Sequence, residues 1–193
     1  MNDAAAEKAA LRRVLRARWQ SASTSAPGEV TSALLPWVRE RLSGLADPVV
    51  AGYIRHGHEV DVEPMLQTLI AEGVVVVLPR IIGQNLEFVL WDGRSLTEGR
   101  YGLMEPRGDE TRTIGSIQVL VVPAMACDGS MVRLGRGGGF YDRALQDLAA
   151  ESAVVAVVGD DALLPAGRIP REAHDIQVHA IATATRVIPA SAG

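Results

Sequence analysis

Runs of apolar residues that do not alternate with polar ones leave a chain few ways to fold. GVVVVLPRI (73–81), GSIQVLVVPAM (115–125) and SAVVAVVG (152–159) are runs of this kind, short, rich in valine and separated by segments of helical spacing. A strand with apolar side chains on both faces has to be covered on both, the condition of a parallel sheet packed between helices. PVVAGY (48–53), LEFVLW (86–91) and HAIATATRVI (179–188) read as further strands. Helical spacing runs from Asp3 to Ser21, with Leu11, Val14, Leu15 and Trp19 on one stripe and Lys8, Arg12 and Arg16 along a different line. SAPGE interrupts it, Val30 to Leu42 resumes it, and EPMLQTLIAEG (63–73) forms a third helix ending at Gly73. At 193 residues and 48% hydrophobic the chain suffices for one sizeable core, and no repeat, linker or boundary divides it. The expectation is an α/β fold: a mostly parallel open sheet with helices on both faces, one domain over 1–193, its last residues 189–193 a frayed tail.

Charge and cysteine content narrow the partners. A net charge of -4 disfavours general nucleic-acid binding, which asks for a basic surface. No apolar run reaches the roughly 18 residues of a membrane span, and the N-terminus lacks the pattern of a secretory signal. One cysteine, Cys127, rules out an internal disulfide. A cytoplasmic protein without membrane attachment is expected; oligomeric state is open.

RLGRGGGFYDR (133–143) places four glycines within five residues, between an apolar run and a helix expected to extend through Ala150. Such a loop, at the carboxyl end of a strand in an open α/β sheet, is where ligands commonly bind. Glycines let several N–H groups converge on one anion, and Arg133 and Arg136 add charge-assisted donors for phosphate or carboxylate. Two standard nucleotide templates fail: G-x-G-x-x-G needs glycine where Phe140 stands, and Gly-Lys-Ser/Thr is absent. A dinucleotide-dependent oxidoreductase is set aside on that ground. Anion binding and a bare surface turn both fit the residues by themselves.

VPAMACDGSMVRLGRGGGFYDRAL (122–145) resembles the signature of the 5-formyltetrahydrofolate cyclo-ligase (methenyltetrahydrofolate synthetase) family. Five more blocks follow that family's order: KAALR (8–12), EVDVEPML (59–66), VVLPRI (76–81), YGLMEP (101–106) and IPREAHDIQV (169–178). The resemblance implies conversion of 5-formyltetrahydrofolate to 5,10-methenyltetrahydrofolate with ATP and Mg²⁺, releasing ADP and phosphate. Lys8, Arg12, Arg133, Gly135, Gly137, Gly138, Gly139 and Tyr141 are implied to hold ATP. Ile54, Glu59, Arg136, the three consecutive glycines and Phe140 are implied to hold the folate. Arg133, Arg136 and Tyr141 take the catalytic positions, and Asp142 and Asp175 those of magnesium ligands. Glu59 suits the 2-amino and N3–H edge of a pterin, with Trp91 and Tyr141 as aromatic partners.

Other residues invite weaker readings. His56 and His58 share a strand face, but no further His or Cys completes a tetrahedral metal set. His174 beside Asp175 suggests a dyad, although adjacent side chains in an extended segment point apart. Cys127 reads as a small buried hydrophobe. The chain also departs from the family pattern: His179 and Ala184 stand where carboxylates are usual, and GDDALLPAGRIP lacks a customary glutamine. Those departures, placed on the nucleotide side, motivate an alternative, a folate- or nucleotide-binding paralogue without turnover.

Overall fold

The computed structural model describes residues 3–19, 27–172 and 175–191. Helices α1 (Asp3–Trp19) and α2 (Pro27–Leu42) precede strand β1 (Val49–Ala51) and helix α3 (Glu63–Ala71). Strands β2 (Val75–Ile82), β3 (Asn85–Leu90), β4 (Leu96–Glu98), β5 (Met104–Pro106) and β6 (Thr111–Arg112) follow, then β7 (Val119–Pro123), β8 (Ala126–Asp128) and β9 (Arg133–Leu134). The chain closes with α4 (Phe140–Ala144), β10 (Ala153–Val157), β11 (Leu163–Leu164), β12 (Ala180–Ala182) and β13 (Val187–Pro189).

Eight strands form one sheet in the order β13-β12-β10-β7-β1-β2-β3-β6. Its centre, from β12 to β2, is parallel, and the flanking pairs are antiparallel. Alternate residues of each central strand feed two separate cores. Val50, Val76, Val119, Val121 and Val155 pack with α2 and α3. Val49, Ala51, Val77, Leu120 and Val154 pack on the other face with Leu15 of α1, Leu145 after α4 and the small sheet β11-β8-β9. Two buried faces explain why these strands read as unbroken apolar runs.

Several boundaries differ from the sequence expectation. α2 begins at Pro27, inside the expected break, because proline at a helix start gives up a donor that has no helical partner there. The helix after the glycines stops at Ala144 and gives way to a 3₁₀ turn at Leu145–Asp147, well short of Ala150. The expected strand 179–188 is two antiparallel strands, joined by a turn in which Thr183 N–H donates to Arg186 O. Pro189 closes β13 and Ala190 N–H donates to His179 O, which ties both residues to the sheet. On α1, Val14 is exposed while Lys8 is buried, so the inward stripe runs Lys8, Leu11, Leu15 and Trp19. Residues 20 and 21, the expected end of that helix, lie outside the described residues. Among the described residues no helix is long and apolar enough to cross a membrane.

Candidate functional site

From β1 the chain turns to one side to form β2, and later reaches β7 on the other side. Open parallel sheets bind ligands beyond the carboxyl ends of strands at such a reversal. A cavity of about 360 Å³ lies there, lined by Tyr53 and Ile54 after β1, Pro79 of β2, and Pro123 to Met125 at the end of β7. Its size is within the range of small-molecule sites.

The glycine loop forms one wall, but not as a direct strand-to-helix turn. Between β7 and the loop the chain first makes the β8–β9 hairpin, and β9 delivers Arg133 with its side chain 4% exposed. Gly137 (φ +103) and Gly139 (φ +66) sit in the left-handed region, where side chains are strained. Arg12 packs over the loop, its Nε donating to Gly135 O at 2.8 Å, and its guanidinium carbon lies 3.5 Å from where a Cβ on Gly137 would be. From the other side Arg143 Nε donates to Gln84 O (3.0 Å) and its Nη2 to Gly138 O (3.1 Å), so the loop is anchored to the turn between β2 and β3.

Two groups of charged residues converge on this wall. In the first, Lys8 pairs with Asp175 and with Glu172 (2.9 Å), and Arg133 pairs with Asp142 at 2.6 Å. Asp142, Glu172 and Asp175 all attract Arg12, while burial pulls its guanidinium below the ordinary range. Among the described residues Arg133 Nε is a buried donor with no acceptor. In the second group, Glu59 forms an ion pair with Arg136, Nε to Oε1 at 2.9 Å, and accepts a hydrogen bond from His56 N–H (2.9 Å). Burial raises the Glu59 carboxyl above its usual range against the opposing pull of Arg136. Tyr141 feels both groups: burial chiefly raises its phenol, Glu59 raises it further, and Arg133 lowers it. It therefore stays protonated at neutral pH, a hydrogen-bond donor rather than a base.

Every residue given a role by the resemblance lines this cavity except Trp91. Trp91 is buried on the face covered by α2 and α3 and belongs to the core. Sequence reading passed over Tyr53, Leu103, Met104, Glu105 and Glu172, which also line it. Signals were present for all but Tyr53: Leu103 to Glu105 lie inside the YGLMEP block, and Glu172 sits in IPREAHD, three residues before Asp175. His56 and His58 are on a loop rather than a strand, and the His58 ring lies 5.9 Å from Trp19. Among the described residues no three His, Cys, Asp or Glu side chains converge as a metal cage. His174 lies outside the described residues. Cys127 is buried, and burial pushes its thiol up to about 12, which removes it as a nucleophile. His179 precedes β12, at the amino end of the parallel strands, and neither it nor Ala184 lines the cavity.

Known proteins are similar to this chain in sequence and in fold. A 5-formyltetrahydrofolate cyclo-ligase of Mycolicibacterium smegmatis is 37% identical over 178 residues, covering 86% of this chain and 90% of that one. The Escherichia coli 5-formyltetrahydrofolate cyclo-ligase is 31% identical over 144 residues, 72% of this chain and 79% of its own. The solution structure of Aquifex aeolicus 5,10-methenyltetrahydrofolate synthetase superposes with a TM-score of 0.78 at 25% identity, over 96% of this chain and 94% of that one. The profile of the 5-formyltetrahydrofolate cyclo-ligase family matches residues 4–184, and the chain belongs to that family.

Proposed function

We propose that the chain converts 5-formyltetrahydrofolate to 5,10-methenyltetrahydrofolate with ATP and Mg²⁺, releasing ADP and phosphate. The observation that carries this reading is the meeting, in one cavity, of a buried carboxylate suited to a pterin and a cationic cluster containing an unpaired buried donor, Arg133 Nε. Oxygen on the N5-formyl group is a poor leaving group. Transfer of the terminal phosphoryl group of ATP onto that oxygen, with ADP leaving, converts it into a good one; N10 then bonds to the formyl carbon and gives up its proton as the carbon–oxygen bond to phosphate breaks, closing the five-membered ring. The protein's share is alignment and charge stabilisation.

Glu59 orients the pterin through its 2-amino and N3–H donors, and Ile54 packs on the ring. Lys8, Arg12 and Arg133 form ion pairs with or are attracted to carboxylates, so an entering triphosphate exchanges partners with Asp142, Glu172 and Asp175 rather than meeting bare cations. Arg133 Nε gains its missing acceptor from a phosphate oxygen. Arg136 and the glycine amides lie where the transferred group passes, and Tyr141 donates a hydrogen bond there. The hard oxygens of Asp142 and Asp175, released by that exchange, suit Mg²⁺ held chiefly by nucleotide phosphates. Magnesium supplies neutralisation of phosphate charge when bound. His179 and Ala184, two of the departures behind the turnover-free alternative, are not among the residues that line the cavity.

The purified protein with 5-formyltetrahydrofolate, ATP and Mg²⁺ is expected to raise the near-ultraviolet absorbance of the methenyl product while forming ADP. Arg133→Ala is expected to slow turnover about a hundredfold or more, as for loss of a donor aimed at developing charge, while folate binding persists. A folded wild-type protein giving neither product nor ADP overturns the proposal.

A further inference from the structure

Asp128 is wholly buried, does not line the cavity described above and takes no part in the chemistry proposed there. It ends β8, the strand whose antiparallel partner β9 carries Arg133, with Cys127 opposite Arg133 in the register. Its Oδ1 accepts Ser130 N–H at 2.9 Å and its Oδ2 accepts Ile169 N–H at 2.9 Å. Ile169 begins the IPREAHD block that contains Glu172 and Asp175, the two partners of Lys8. The turn after Asp128 makes further ties to the same stretch of chain. Ser130 Oγ accepts Gly167 N–H (3.0 Å), Ser130 O accepts Gln177 Nε2 (2.7 Å) and Met131 O accepts Val178 N–H (3.0 Å). Met131 is held at φ +61 in this turn, a conformation costly for a side chain with Cβ.

A buried carboxylate is expensive unless both oxygens are satisfied. Here each oxygen accepts from a different segment, something the single acceptor of an asparagine cannot reproduce. We infer that Asp128 is a positioning residue: it fixes the Arg133 strand against the Lys8-binding segment, and so sets nucleotide affinity without touching the nucleotide. The inference rests on reading the cavity as a nucleotide site.

Calorimetry with a non-hydrolysable ATP analogue, and separately with 5-formyltetrahydrofolate, tests it on wild type, Asp128→Asn and Ser130→Ala. Asp128→Asn is expected to weaken the analogue about tenfold, the scale of one lost charge-assisted hydrogen bond, with the folate within about twofold. Ser130→Ala, a milder cut in the same turn, is expected to weaken the analogue about threefold with the folate unchanged. Equal loss for both ligands, or no loss for either, overturns the inference. If Asp128→Asn fails to fold, Ser130→Ala decides by the same criterion. Because binding is read without turnover, a wild type that binds both ligands but does not cyclise sinks the proposed reaction while leaving this result legible.

Discussion

Burial raises the Glu59 carboxyl, and the Arg136 guanidinium opposes that shift without reversing it. The folded protein therefore favours the protonated form more than the unfolded chain does. That contribution to stability is complete below the ordinary carboxyl range and is lost as pH rises through the folded value. At pH 7 the ionised side chain is a net burden, so Glu59→Gln is expected to raise Tm by a few degrees there and to leave it nearly unchanged near pH 4. On the function proposed above, the same change removes an acceptor for the pterin, and folate affinity is expected to fall about tenfold by calorimetry. Glu59, Arg12 and the glycine loop were singled out through blocks that resemble the family, and the fold brings them to one cavity. The setting of Lys8 was not: one line of α1 reads as a solvated basic face, yet Lys8 is 4% exposed and points inward beside Leu15. Tyr53 escaped notice because nothing in a short apolar strand distinguishes a residue that ends at a cavity from one that ends in the core.

Among the elements, α3 is pressed tightly against the sheet at Gly52. Gly52, just past β1, has no side chain because Leu66 of α3 occupies that space, and a Cβ would collide with Leu66 Cδ1 and Cδ2. Gly52→Ala is expected to cost about 1–3 kcal/mol by overpacking, and Leu66→Ala about 2–5 kcal/mol by leaving a cavity. In chemical denaturation the double variant is expected to lose less than the sum, since the alanine at 52 partly fills the space vacated at 66. Turnover is expected to suffer in Gly52→Ala, because Tyr53 and Ile54 follow directly into the cavity wall. Valine-rich runs revealed the central strands, since burial on both faces leaves a plain apolar record. Periodicity failed where elements are short: α4 spans five residues before its 3₁₀ turn, and the turn at Thr183 to Arg186 carries no glycine or proline to betray it.

Taken as a whole, the molecule has its candidate cavity at the carboxyl ends of its parallel strands and a titrating bridge at the amino ends. There Val154 N–H donates to His179 Nδ1 at 2.9 Å, and burial first, then Arg41, lowers that imidazole below its usual value of about 6.5. Folding thus favours neutral His179. The stabilisation is present above the unfolded value and is lost as pH falls toward the lowered folded one. Tm is expected to drop between pH 7 and pH 5.5, and His179→Asn, which keeps an acceptor without titrating, is expected to flatten that slope while sparing turnover at neutral pH. The β2–β3 hairpin stands in a different relation to the cavity. Its tip supplies the Gln84 carbonyl on which Arg143 leans while holding Gly138. Surface turns ordinarily accept extra residues freely, but lengthening this one would withdraw the strut beneath the glycine-loop wall of the cavity, so among descendants of this chain its length should drift far less than its exposure alone allows.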